Sequence, residues 1–186
     1  MNTWHKQLKA TFAEDQIVRI DRQPEIEDQI DGYVVGVSEC FVMLHLLDPN
    51  FVNLNGYIVL RSDDVRRYRV RDDNDFFLNR ALKLKGIRPA LPAAIDLTSF
   101  GTLLESANKQ FPLLTIHREL MDPDICFIGQ VEKLTDKTVT LKEIDPGARW
   151  ERVRRYNFRD ITRVEFGGGY EDSLALVAGL WSSSTL

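Results

Sequence analysis

Residues 31–49, DGYVVGVSECFVMLHLLDP, have a counterpart 97 residues later at 128–146, IGQVEKLTDKTVTLKEIDP. Gly32 falls on Gly129, Val34 on Val131, Val42 on Val139, Leu44 on Leu141, Leu47 on Ile144, and Asp48-Pro49 on Asp145-Pro146. Further on the offset becomes 96, where Asp64-Val65 meets Asp160-Ile161 and Arg67 meets Arg163. The similarity also runs backwards. QIVRIDR (16–22) matches PLLTIHR (112–118), and Trp4 and Leu8 fall on Phe100 and Leu104. The chain is one unit written twice.

Each unit opens with a helical segment. Trp4, Leu8 and Phe12 share one face at helical spacing, and so do Phe100, Leu103, Leu104 and Ala107 behind a Thr98 or Ser99 cap. Five short strands follow, near 16–21, 30–38, 40–47, 56–61 and 64–70, then 112–119, 126–134, 137–143, 150–157 and 161–166. Asp48-Pro49 and Asp145-Pro146 read as turns, because Pro pre-sets the second turn position and Asp caps the first. Asn55-Gly56 is either a tight hairpin or the start or bulge of a strand; the second unit has no Asn-Gly there, which favours the bulge.

Five short strands with one apolar face curl into a small barrel that limits free edges. The expected fold is therefore mainly β with short helices: two tandem five-stranded barrels, each preceded by a helix. A helix before such a barrel resembles the Sm/LSm architecture, a five-stranded SH3-like barrel, with Gly32 and Gly129 at the place of that family's second-strand glycine. It is also similar to bacterial proteins ending in a stretch like ITRVEFGGGYED (161–172). The family resemblance implies RNA binding through an Asn-bearing loop and a later Arg-Gly. Here the loops read VSECFVML and LTDKTVTL without that Asn, and Arg61 or Arg159 stands near Asp instead of Gly.

The expected organisation is 1–71 for the first helix and barrel, 72–97 for a packed linker, 98–166 for the second, and 167–186 for a glycine joint with a terminal helix and tail. In the linker Phe76, Phe77, Leu78, Leu82 and Leu84 make a short amphipathic helix ended by Gly86. The terminal helix would present Tyr170, Leu174, Val177 and Trp181.

Net charge of −4 with a pI near 5.4 speaks against wholesale nucleic-acid binding but permits a local basic patch. Cys40 and Cys126 lie in apolar surroundings without CxxC spacing and read as buried thiols. No apolar run reaches membrane-spanning length and the first residues lack a secretory pattern, so the expected location is cytoplasmic.

The chemistry-bearing stretch is ARWERVRRYNFRDITR (148–163), with six Arg against two acids and three interleaved rings. Alternation puts Trp150, Arg152, Arg154, Tyr156 and Phe158 on one face, as a single-strand-binding platform needs. Candidate nucleic-acid contacts are Arg152, Arg154, Tyr156, Arg159 and Arg163, with Arg67 equivalent to Arg163. The plain alternative is an arginine-rich edge strand that resists aggregation. Cys126, His117 and Glu119 could form a nucleophile, base and orienter, but no motif supports them. No metal or cofactor is implied, and GGGYED lacks the frame of a phosphate loop. The expected function is a non-enzymatic interaction or scaffold protein with a protein partner or self-association. RNA binding is the alternative.

Overall fold

The computed structural model describes residues 3–22, 28–71 and 77–180. The chain divides into two compact units, Met1–Ala93 and Ala94–Leu186. The first contains α1 (Thr3–Ala13), β1 (Ile17–Arg22), β2 (Gln29–Val37), β3 (Phe41–Asp48), β4 (Asn53–Arg61), β5 (Val65–Val70) and α2 (Phe77–Leu84). The second contains α3 (Phe100–Asn108), β6 (Leu114–His117), β7 (Cys126–Leu134), β8 (Thr138–Ile144), β9 (Trp150–Asn157), β10 (Arg163–Phe166) and α4 (Gly169–Val177). Both are mainly β, and every strand pairing described within a unit is antiparallel.

The strand orders match: β5-β1-β2-β3-β4 in the first unit and β10-β6-β7-β8-β9 in the second. Within neither unit do the two outermost strands pair with each other among the described residues. The registers match as well. Gly32 opposes Leu46 as Gly129 opposes Glu143, and each ladder slips one residue further along, after Val34 and after Val131. A second slip sets Asn55 and Gly56 against Leu46, and Glu151 and Arg152 against Glu143. Gly56 is thus a bulge residue at φ 68°, not the tip of a hairpin.

In the first unit Leu8 of α1 belongs to one core cluster with Val18, Ile20, Ile30, Val34, Val42, Leu44, Ile58 and Leu60, against which Val65, Tyr68 and Val70 of β5 pack. Burying Leu8 alone contributes about 2 kcal/mol. In the second, α3 starts at Ser99: its hydroxyl accepts from the Thr102 N–H, while the Thr102 hydroxyl accepts from the Ser99 N–H. Leu103, Leu104 and Ala107 are buried from that helix.

The opposite face of each sheet is covered too, which the strand pattern did not foretell. Leu82 and Leu78 of α2, with Ile87, pack on Ile17, Tyr33 and Leu47. Leu174 and Ala175 of α4, with Leu180, pack on Leu113, Ile144 and Ile128. The two helices end alike. Gly86 and Gly179 sit at φ 71° and 74°, and the next N–H reaches back, Ile87 to Leu82 and Leu180 to Ala175, at 2.9 and 2.8 Å. The repeat is therefore helix, five strands, helix. The short helix expected in the linker and the terminal helix expected after the glycines are thus equivalent closing helices, α2 and α4, of the two units. Phe77 and Leu84 are exposed, so α2 buries a narrower stripe than its sequence suggests. On α4 the covered side is Glu171, Leu174 and Ala175, with Tyr170 and Val177 exposed. Trp181 and Phe76 lie outside the described residues. Gly167 is no open joint, since a Cβ there would sit 2.5 Å from the Phe111 ring.

Behind α2, the Ala90 N–H donates to Nδ1 of His45 at 3.2 Å, and the ring stacks on Tyr57 with centroids 4.5 Å apart. Burial pushes the His45 pKa down to about 4. In the unfolded chain the ring binds its proton near pH ~6.5, so acidification below that favours unfolding until the folded ring titrates. Stability supplied by His45 is complete above about pH 6.5 and declines as pH falls toward 4, by about 1–2 kcal/mol after allowing for solvent screening of a half-buried ring. Denaturant melts at pH 7.5 and 4.5 check this: the loss should shrink by that amount in His45→Phe. An unchanged loss would remove His45 from the account.

Candidate nucleic-acid interface

Strands β9 and β10 and the short 3-10 turn between them (Phe158–Asp160) carry five of the candidates. Tyr156 points into the second unit and is 1% exposed. Its hydroxyl donates to Oε1 of Glu143, itself buried, while Arg152 Nε lies 3.4 Å and Arg154 Nε 3.5 Å from that carboxylate. Burial, and then the Glu143 contact, raise the Tyr156 pKa well above its ordinary value. The guanidinium groups of Arg118 and Arg154 lie over the Phe127 and Tyr156 rings at 5.1 to 5.9 Å. A cavity of about 240 Å³ opens beside this cluster, lined in part by Cys126, Phe127, Glu143 and Arg152.

The remaining candidate arginines are also engaged. Arg159 pairs with Asp160 at 3.3 Å and leaves most of its side chain in solvent. Arg163 Nε lies 3.1 Å from both Glu119 and Glu165, and its Nη2 is 3.2 Å from His117 Nδ1. Arg67 occupies the equivalent place in the first unit, opposite Asp21 as Arg163 is opposite His117, and pairs with Asp21 at 2.7 Å. Arg67 and Arg163 are thus equivalent, as the repeat predicts, yet each is held by a carboxylate. The rings are no freer. Phe158 is buried and stacks on Phe100 at 5.6 Å, and Lys142 covers the half-buried Trp150 at 4.4 Å. The shared face of the sequence reading exists for Arg152, Arg154 and Tyr156, but it turns toward Glu143. It leaves no bare ring among these three aromatics for a base to stack on.

His117 and Cys126 oppose each other across β6 and β7. The geometry does not make them a nucleophilic pair. An arginine can only donate, so Nδ1 of His117 accepts from Arg163, and Nε2 lies 3.3 Å from Glu165. Glu119 accepts from the Thr162 hydroxyl and pairs with Arg163. Partial desolvation of its sulfur beside the sheet and then the nearby Glu165 push the Cys126 thiol up, away from the thiolate that a nucleophile needs. Glu165 goes the other way: burial opposes its charge, but the His117 contact and Arg163 outweigh it and hold the carboxyl below its ordinary value. Both cysteines are exposed, correcting the reading of buried thiols. Cys40 lies in the turn after β2, where Ser38 Oγ accepts from its N–H at 3.1 Å, and Cys126 starts β7.

Glu143 is the residue that the sequence reading missed. The signal was present, because Val139, Leu141 and Glu143 alternate onto the buried side of β8. At the matching positions of the first unit stand Leu46 for Glu143, Ile58 for Arg154, Leu60 for Tyr156 and Ile30 for Phe127. One copy is apolar where the other carries a polar network.

Among the described residues no group of three or more His, Cys, Asp or Glu side chains is placed to hold a metal ion, and no helix is long and apolar enough to cross a membrane. Comparison with protein-family models, with curated proteins and with solved structures gives no match.

Proposed function

We propose that the protein is a non-enzymatic interaction or scaffold module of the cytoplasm, built from two Sm-like five-stranded barrels and acting through a protein partner or self-association. The barrel reading is supported by the repeated strand order, last-first-second-third-fourth, and by β5 and β4 side chains that share one core with α1. One observation carries the functional reading. The chemistry-bearing side chains of the second unit satisfy one another: Glu143 with Tyr156, Arg152 and Arg154, and Arg163 with Glu119, Glu165 and His117. A catalytic site needs polar groups converging on a substrate, and a stacking platform needs bare rings.

Binding of single-stranded RNA along 149–163 is the second reading, supported by the exposed Arg152, Arg155 and Arg159. Affinity capture from the host cell after nuclease treatment, followed by reciprocal capture with the protein so identified, separates the two. Recovery of the same stoichiometric pair in both directions is the expected result. Nuclease-sensitive recovery, with micromolar binding of mixed-sequence RNA that weakens between about 50 and 200 mM salt, would transfer the function to nucleic acid.

A further inference from the structure

β9 is the terminal strand of its unit: it pairs with β8 and, among the described strands, with no other. Just beyond its end, the Phe158 N–H is donated to the Lys137 carbonyl at 2.9 Å, toward β8. Backbone groups alternate sides along a strand. The N–H and C=O groups of Asn157, Arg155 and Val153 therefore point away from β8. Val153 is 57% exposed, and Arg155 and Asn157 are exposed beside it. The first repeat treats these positions differently. Tyr57 and Val59 stand where Val153 and Arg155 stand in the second, and Val59 is buried at 2% exposure.

We propose that the outer edge of β9 is a docking site for an extended acidic segment of a protein partner, added as a further strand. This rests on the interaction-module reading above and names its surface. Strand addition supplies affinity through the main chain and selectivity through alternate side chains. The charge selects an acidic guest. β9 and the residue before it carry Arg149, Arg152, Arg154 and Arg155 against Glu151. Glu143 is shared between Arg152 and Arg154, Asp145 takes Arg149, and Arg155 pairs with no carboxylate among the described residues. Val153 offers an apolar contact in the middle of the row. Nucleic acid fits less well, because Tyr156, Phe158 and Trp150 are buried or covered. A second copy fits less well too. The first unit's terminal strand β5 carries Arg66, Arg67 and Arg69, and pairing it with β9 would set arginines against arginines.

The test uses the full chain and a labelled ten-residue peptide alternating Glu with Val, read by anisotropy at about 50 mM salt, where exposed charges are weakly screened. Saturable micromolar binding is expected, with a loss of about tenfold or more in Arg155→Pro and in Arg155→Glu. The proline deletes an outward N–H and no ladder bond, so an unchanged melting temperature certifies the fold. The same peptide N-methylated on alternate amides should bind about tenfold more weakly. Absent binding overturns the proposal. So does binding that N-methylation and Arg155→Pro leave intact, which would be charge attraction alone. Tighter binding of a ten-nucleotide uridine RNA gives the edge to nucleic acid, and a doubled mass by sedimentation that Arg155→Pro restores to monomer gives it to a second copy; either overturns the acidic-segment assignment. If reciprocal capture finds a partner that Arg155→Pro retains, the edge assignment falls and the interaction reading stands.

Discussion

Gly129→Ala is expected to destabilise the protein by about 3 kcal/mol, although it adds one methyl group. A Cβ at this position would lie 2.5 Å from the carbonyl oxygen of Lys142 and 3.0 Å from its carbon. These are backbone atoms of the neighbouring strand, so no side chain can swing aside. β7 and β8 must part at the pair that seats Glu143, just before the ladder's first slip. Gly32→Ala should behave in the same way, its Cβ 2.6 Å from the His45 carbonyl oxygen. Gly101→Ala is the control. That glycine lies inside α3 with only the Ser99 hydroxyl near, at 3.7 Å, so alanine should stabilise by about 0.5–1 kcal/mol through helix propensity. Thermal melts of the three variants decide the matter. The first two should lose on the order of 10 °C and the third should gain slightly. A Gly129→Ala protein melting with wild type would mean that the strands approach less closely than described.

These two glycines also show how far the sequence could be read. Gly32 and Gly129 repeat at the spacing of their strands, and that coincidence alone locates ten strands to within a residue or two at most ends. β4 is the exception, beginning at Asn53 where 56 was expected, and β6 is trimmed by two residues at each end. After His117 the chain turns, with the Met121 and Asp122 N–H groups donating to the Arg118 carbonyl, and periodicity gives no warning of that. The closing helices were harder to recognise as a pair. Gly86 and Gly179 are 93 residues apart rather than 96 or 97, and α2 shares little sequence with α4. What they share is a left-handed glycine followed by Ile87 or Leu180, a signal of helix termination that says nothing about which sheet face the helix will cover. Charge was the least legible feature. A run of arginines looks alike whether it awaits a phosphate or is already held by Glu143 and Glu119, because those carboxylates come from β8 and from the turn after β6. Only the strand register brings them together.

Glu143→Leu is expected to cost about 2–3 kcal/mol, less than the loss of a fully buried ion pair because Arg152 is 62% exposed and Arg154 31%. It leaves the Tyr156 hydroxyl and the Arg154 guanidinium without the carboxylate that both of them face. The informative experiment is to remove the other partners as well. Glu143→Leu/Arg154→Ile/Tyr156→Leu installs the residues that the first unit already uses on the same register, Leu46, Ile58 and Leu60, of which the last two are buried in its core. Replacing a whole buried polar network by apolar groups of similar size is often neutral or stabilising, whereas breaking it at one member is not. The triple variant should therefore recover most of the loss caused by Glu143→Leu, as read by denaturant unfolding. Recovery would mean that Glu143, Tyr156 and Arg154 add little net stability. The second repeat would then keep them for what they do to β9, where Glu143 holds two arginines of the proposed docking strand in place. A triple variant no more stable than Glu143→Leu would mean instead that Phe127, standing where the first repeat has Ile30, needs the Arg154 and Tyr156 groups packed against it, and the network would be part of the core.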